Sequence, residues 1–192
     1  MSVLSTSTHH GAVTQSLHWL TVLAVGAAYV FSVGGPESRV YSDTGVTSLQ
    51  LHETLGMLVF ALVGVRLLWR LVDRAPKEPP MPIWMEWASK ATHWALYGMV
   101  VAIPLTAIIG AWYEAHPVTL LGVGTIGPWL AESHNLGLTI TDLHRTLGSF
   151  IVWVAGIHAA AALFHHFIMR DNVLVSMLPA WLGLARLPDA SR

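Results

Sequence analysis

Asp142–His166 reads DLHRTLGSFIVWVAGIHAAAALFHH. From Thr146 onward it is apolar enough for the core of a bilayer, yet the segment carries His144, His158, His165 and His166. Ionisable side chains inside a membrane are costly and functional by default. Fourteen residues separate His144 from His158. At about 100° per residue they fall about 40° short of four full turns, so they share one helix face, about 21 Å apart along the axis. That is most of a roughly 30 Å hydrocarbon layer. The segment therefore reads as a membrane helix with a histidine site at each of two depths.

The rest of the chain agrees. Of 192 residues, 54% are apolar and 11% charged, against about 25% charged in a soluble domain. Three further stretches are long enough to cross, so the spans run roughly over 15–33, 49–69, 92–112 and 146–168. Each is a helix, because a helix satisfies its own backbone in lipid. The expected fold is all-α: one domain, an integral membrane four-helix bundle. The first span lacks a basic n-region and a small-residue cleavage site, so it reads as a span and not a signal peptide. A net charge of −1 gives no sign of nucleic-acid binding. The chain has no cysteine, which excludes disulfides, iron–sulfur clusters and covalent haem attachment. Nine tryptophans suit the aromatic belts of a bilayer.

Lys and Arg set the orientation. The second connection holds Arg70, Arg74, Lys77 and Lys90, and the C-terminal tail holds Arg170, Arg186 and Arg192. The first connection has only Arg39, and the third, Tyr113 to Leu143, has neither Lys nor Arg. Both termini and the second connection are therefore expected in the cytoplasm. The third connection, about 30 residues with the apolar, Gly-rich run VTLLGVGTIGPWL, reads as a lid on the outer surface. The tail DNVLVSMLPAWLGLARLPD reads as an interfacial segment broken by Pro179, and Pro104 is expected to kink the third helix.

The second and fourth spans run inward and carry His52 and His144 near their outer ends, in matching LHETLG and LHRTLG motifs. The first span runs outward and places His18 at the depth of His158. His93 opens the third span at that same depth, so geometry leaves His18 and His93 competing for His158. His9 and His10 fall in an N-terminal tail expected to be mobile; His116 and His134 fall in the outer connection and read as solvated surface. Two facing neutral imidazoles are the usual axial ligands of b-type haem. Small residues that would let helices stand back from such a ring are present: Gly26, Gly56, Gly64, Gly148, Ala155, Gly156 and Ala159–Ala162. Zinc wants four ligands in one cluster, and two separated pairs suit it poorly.

SLHWL (16–20), LHETLG followed by VGVRLLWRL, DLHRTLG, and GIHAAAALFHHFIMRDN (156–172) together resemble the bacterial cytochrome b561 family of four-helix dihaem membrane proteins. The likeness runs from QSLHWL to DNVLVSMLP. The pattern also resembles, less well, the cytochrome b subunits of hydrogenases and formate dehydrogenases, which would make the chain an electron-carrying anchor for a separate redox partner. The family resemblance implies two non-covalent b haems, the inner on His18 and His158 and the outer on His52 and His144, with His93 beside the inner one. It further implies a bacterial inner-membrane oxidoreductase taking electrons from superoxide outside and passing them to ubiquinone inside. The tail before His18 lacks basic residues and the outer connection lacks Lys and Arg, both departures from the family pattern.

Haem propionates need donors. Arg145 follows an outer ligand, and Arg66 and Arg70 lie four residues apart on one face near the inner end of the second span. His165 lies seven residues past His158, on nearly the same face and about 10 Å deeper. It is placed to protonate a quinone near neutral pH, with His166 beside it and Arg74 or Lys90 approaching from the second connection. The competing reading of His165 and His166 is a helix end favoured by the dipole.

Overall fold

The computed structural model describes residues 2–6, 9–32, 43–76 and 80–179. Four long helices carry the chain: α1 (Ala12–Ser32), α2 (Asp43–Trp69), α3 (Ile83–Tyr113) and α4 (His134–Phe164). All four contain segments long and apolar enough to cross a membrane, the fourth extending to Met169. Mid-helix side chains such as Leu23 (66% exposed) and Ile157 (62%) are bare, as expected of surfaces meant for lipid. Between α3 and α4, strands β1 (Val118–Leu120) and β2 (Gly124–Ile126) form a two-stranded antiparallel ladder with Val118 opposite Ile126. After α4 come a π-helical turn (His165–Met169) and a short helix, α5 (Val173–Met177).

Two expectations need correction here. The helices begin earlier than their apolar cores, so none of the four paired histidines, nor His93, opens its helix. His18, His52, His93 and His144 lie six, nine, ten and ten residues into their helices. The polar first turns of α2 and α4, and Glu86 and Lys90 near the start of α3, fall outside an apolar window while the helical backbone continues through them. The connection between α3 and α4 consequently covers only 114–133 and contains a hairpin. His134 is the first residue of α4 and bonds Glu114 Oε2 through Nδ1 at 3.0 Å. Pro104 is buried inside a helix that continues past it. The connection holding Arg39 and the tail beyond Pro179, with Arg186 and Arg192, lie outside the described residues, as does Lys77.

The chain divides into two compact units, and every long helix contributes to both. One comprises Met1–Trp19, Gly64–Leu96 and Val152–Arg192. In it the N-terminal segment is tied down rather than mobile. Asp73, 7% exposed, accepts hydrogen bonds from Ser5 N and Ser5 Oγ at 2.7 Å and from Thr14 Oγ1 at 2.5 Å. Trp69 Nε1 donates to the same Thr14 oxygen. Gly11 permits the fold-back, since a Cβ there would lie 2.3 Å from the Val3 carbonyl oxygen. Gln15 Nε2 donates to the Ser176 and Leu178 carbonyls, Trp19 Nε1 to Met177, and His10 N to Ser176, fastening α5 to the start of α1.

The other unit comprises Leu20–Val63 and Tyr97–Ile151. Its small core is Ala24, Val59 and Val63, packed by Val25, Leu62, Val100 and Val101. Helices α3 and α4 approach closely at Gly110, where a Cβ would meet Thr141 Oγ1 at 2.8 Å. The hairpin is anchored on α2: Thr119 N donates to Glu53 Oε2 at 2.8 Å and Leu121 N to Thr54 Oγ1 at 2.9 Å.

Candidate functional site

His52 and His144 face one another in the second of these units, ring centres 6.0 Å apart and planes crossed at 83°. Each Nδ1 lies against a backbone carbonyl: His52 on Ala28 at 2.8 Å, His144 on Ile103 at 2.9 Å. A carbonyl only accepts, so each Nδ1 carries the proton and each Nε2 keeps its lone pair. A ligating histidine is commonly held this way, by a bond from its other nitrogen. The Ile103 carbonyl also accepts from Thr106 Oγ1 at 2.9 Å. Four residues past each histidine, on the same face one turn on, come Gly56 and Gly148. A Cβ on either would meet nothing within 4 Å. The repeated LHxTLG motif thus supplies a histidine with clear space one turn on, twice.

In the other unit, His18 and His158 have ring centres 6.5 Å apart, crossed at 69°. His93 is closer to His158, at 5.3 Å and also 69°. His18 Nδ1 is buried without a hydrogen-bond partner, so this pair lacks the symmetrical carbonyl locks of the other. Arg66, half-buried on α2, lies near enough for its charge to act on His18, His93 and His158. Arg70 is exposed and acts on His93 and His10.

The remaining candidates divide. His165 Nδ1 bonds Asp171 Oδ2 at 2.5 Å, both side chains largely buried. His166 Nδ1 is buried with no partner. Arg74 is exposed, and Lys90 pairs with Glu86. Arg145 is 55% exposed and donates to Asp142 at 3.1 Å on its own helix. An apolar cavity of about 190 Å³ is lined by Met57, Ile108, Trp112, Val118, Ile126 and Trp129, with Trp112 Nε1 donating to the Ile126 carbonyl at 3.1 Å.

These residues suit b-type haem. A metal–imidazole nitrogen bond is about 2.0 Å; with about 1.1 Å from nitrogen to ring centre, a metal held between two facing imidazoles would set their centres about 6.2 Å apart. The 6.0 and 6.5 Å pairs bracket that value and 5.3 Å falls short. A Cβ at Gly26, Gly56, Gly64, Gly148 or Gly156 would meet nothing within 4 Å, and the same holds at Gly98, which the sequence did not mark. Among the described residues no cluster of three or more His, Cys, Asp or Glu could hold a metal ion by itself.

Facing histidines on apolar membrane helices, without cysteine, define a membrane cytochrome of the b type. The chain belongs to the prokaryotic cytochrome b561 family, whose model matches residues 9–180. It is 30% identical over 168 residues to cytochrome b561 homolog 1 of Escherichia coli K12, covering 85% of this chain and 93% of that protein. It is 26% identical over 181 residues to cytochrome b561 homolog 2 of the same organism, with 93% and 95% coverage. To a probable superoxide oxidase, CybB, of Yersinia pestis it is 30% identical over 174 residues, with 87% and 94% coverage. It is therefore a multi-pass electron-transfer protein of the bacterial inner membrane that binds b-type haem.

Proposed function

We propose that the protein is a superoxide:ubiquinone oxidoreductase with two non-covalent b haems, one held by His52 and His144 at the outer face and one by His18 and His158 at the inner face. The observation that carries this reading is the pair of histidine couples, each spaced for a metal between its rings. The name of the Yersinia pestis relative supports the superoxide half. Haem bound at each couple would supply a one-electron carrier. The chain's own residues do the rest. Ala28 and Ile103 hold the outer imidazoles through Nδ1, which makes Nε2 the ligating nitrogen. Arg66 brings positive charge to the inner couple, where propionates need it, with Arg70 one turn on; Arg145 serves the outer couple. His93 packs against His158 without ligating. His165 holds the proton for a quinone carbonyl at the inner boundary, with His166 and Arg74 flanking the headgroup.

One observation favours a second reading, an electron-carrying subunit for a separate redox partner. The connection 114–133 has no Lys or Arg to attract an anion and carries Glu114 and Glu132. Rapid mixing of the purified protein with superoxide, then with a ubiquinone analogue, separates the two. The oxidoreductase shows haem reduction followed by quinone-dependent reoxidation with no other protein present. Failure of both steps until a partner is added would establish the carrier.

A further inference from the structure

His165 and Asp171 are joined by more than one bond. The π turn, a rare form that clusters at functional sites, ends at Arg170, whose φ of 55° puts it in the left-handed region. That reversal returns Asp171 to His165. Asp171 N donates to the His165 carbonyl at 3.2 Å, and Asp171 Oδ2 meets His165 Nδ1 at 2.5 Å. The second carboxylate oxygen is also used: Val173 N donates to Oδ1 at 3.0 Å, at the start of α5. The histidine side chain is 12% exposed and the aspartate 19%. This is a buried, closed arrangement with one ring nitrogen left uncommitted.

We propose that Asp171 is a positioning residue: its carboxylate holds His165 in the tautomer with the proton on Nδ1, leaving Nε2 as the only ring atom that can exchange a proton with a bound quinone. This rests on the quinone role proposed for His165. An ionised carboxylate only accepts, so Nδ1 must donate to it. When His165 is protonated, the second proton sits on Nε2, and Asp171 offsets the imidazolium charge. Delivery then breaks the Nε2–H bond and forms an O–H bond on a quinone carbonyl, leaving neutral imidazole still bonded through Nδ1, to be recharged from water. Superoxide is the reductant. Two superoxide ions, one ubiquinone and two protons give two dioxygen molecules and one ubiquinol, so charge and atoms balance. A carboxylate that orients a histidine in this manner does not itself take the proton.

Asp171→Asn separates positioning from capping. An asparagine keeps Oδ1 for Val173 N but presents an amide N–H to Nδ1, which must then accept, moving the ring proton to Nε2. A neutral imidazole in that tautomer cannot act as an acid toward the quinone. The test uses the haem-loaded full chain with ¹⁵N-labelled histidine. NMR should find His165 protonated at Nδ1 in the wild type and at Nε2 in Asp171→Asn. Haem absorption and haem reduction by superoxide should be unchanged. Turnover with a ubiquinone analogue should fall about 100-fold or more, the scale of a lost general acid, with KM nearly constant, and Asp171→Glu should restore part of it. An Nε2-protonated His165 in the wild type would overturn the proposal without any variant, as would a tautomer unchanged in Asp171→Asn. A reversed tautomer with undiminished quinone turnover would leave Asp171 as the positioning group but overturn delivery through His165, and with it the quinone role itself.

Discussion

At the scale of single residues, the two histidine couples differ in their surroundings, and the difference is electrostatic. Arg66 is half-buried and acts on His18 and His158 together. Arg145 is exposed and already paired with Asp142, so water and a neighbouring carboxylate screen its charge. A nearby cation favours the reduced, less positive state of a bound haem. Arg66→Gln is therefore expected to lower the potential of the haem at His18 and His158, and Arg145→Gln to lower that of the other haem by less. A spectroscopic redox titration of each variant checks this; an unchanged midpoint in Arg66→Gln would remove it from the haem environment. Motif and spacing made these arginines visible in the sequence. The Ala28 and Ile103 carbonyls could not be seen there, because every residue carries a carbonyl and only the packed helices decide which one meets an imidazole.

At the scale of helices, the space beside the ligands comes from glycine. Gly56→Leu or Gly148→Leu would fill the clear volume one turn past His52 or His144 and is expected to cost that site its haem while sparing the other. Haem per chain should then drop by about half; full retention would show that these glycines face lipid instead. The N-terminal segment makes a second prediction. Burial holds His10 below its usual 6.5, despite the opposing charge of Asp73, with Arg70 and Arg66 adding to the depression. Asp73 is pushed up by burial, but the Thr14 and Ser5 bonds outweigh that and hold it below its usual 3.8. For both groups the unfolded segment binds protons more readily than the folded one. Their stabilising contribution is present above the usual values and is lost as pH falls below them, His10 first, below about 6.5, and Asp73 only under about 4. Hydrogen exchange at residues 2–11, corrected for intrinsic rates, should quicken between pH 7.5 and 5.5, and His10→Gln should remove that sensitivity. Equal protection at both values would place the segment's stability elsewhere. Asp73→Ala, which removes three bonds to a buried carboxylate, should loosen the segment by about 3 kcal/mol, measured by the same exchange.

At the scale of the whole molecule, apolar length and histidine spacing made legible the four spans, the facing of His52 and His144, and the gathering of His18, His93 and His158 at one depth. Helix starts were not, because polar first turns such as Asp43–Ser48 and His134–Asn135 carry no hydrophobic signal. Nor was the N-terminal knot, since Ser5 and Asp73 are 68 residues apart and nothing local marks the pair. His93 stayed ambiguous from spacing alone, and the ring separations from His158, 5.3 Å to His93 and 6.5 Å to His18, support the partnership with His18 proposed above. The excess of Lys and Arg in the second connection and tail predicts that both termini are cytoplasmic. A C-terminal fluorescent fusion should then be bright and a C-terminal alkaline phosphatase fusion inactive; the reverse would invert the assignment of outer and inner couples. The most direct test is haem content per chain across single histidine variants. The wild type should bind two haems. His52→Ala and His144→Ala should each bind one with the same residual spectrum, His18→Ala and His158→Ala should each bind one with the other spectrum, and His93→Ala should keep two. One haem in the wild type, or loss of haem in His93→Ala with full retention in His18→Ala, would contradict the two-couple arrangement.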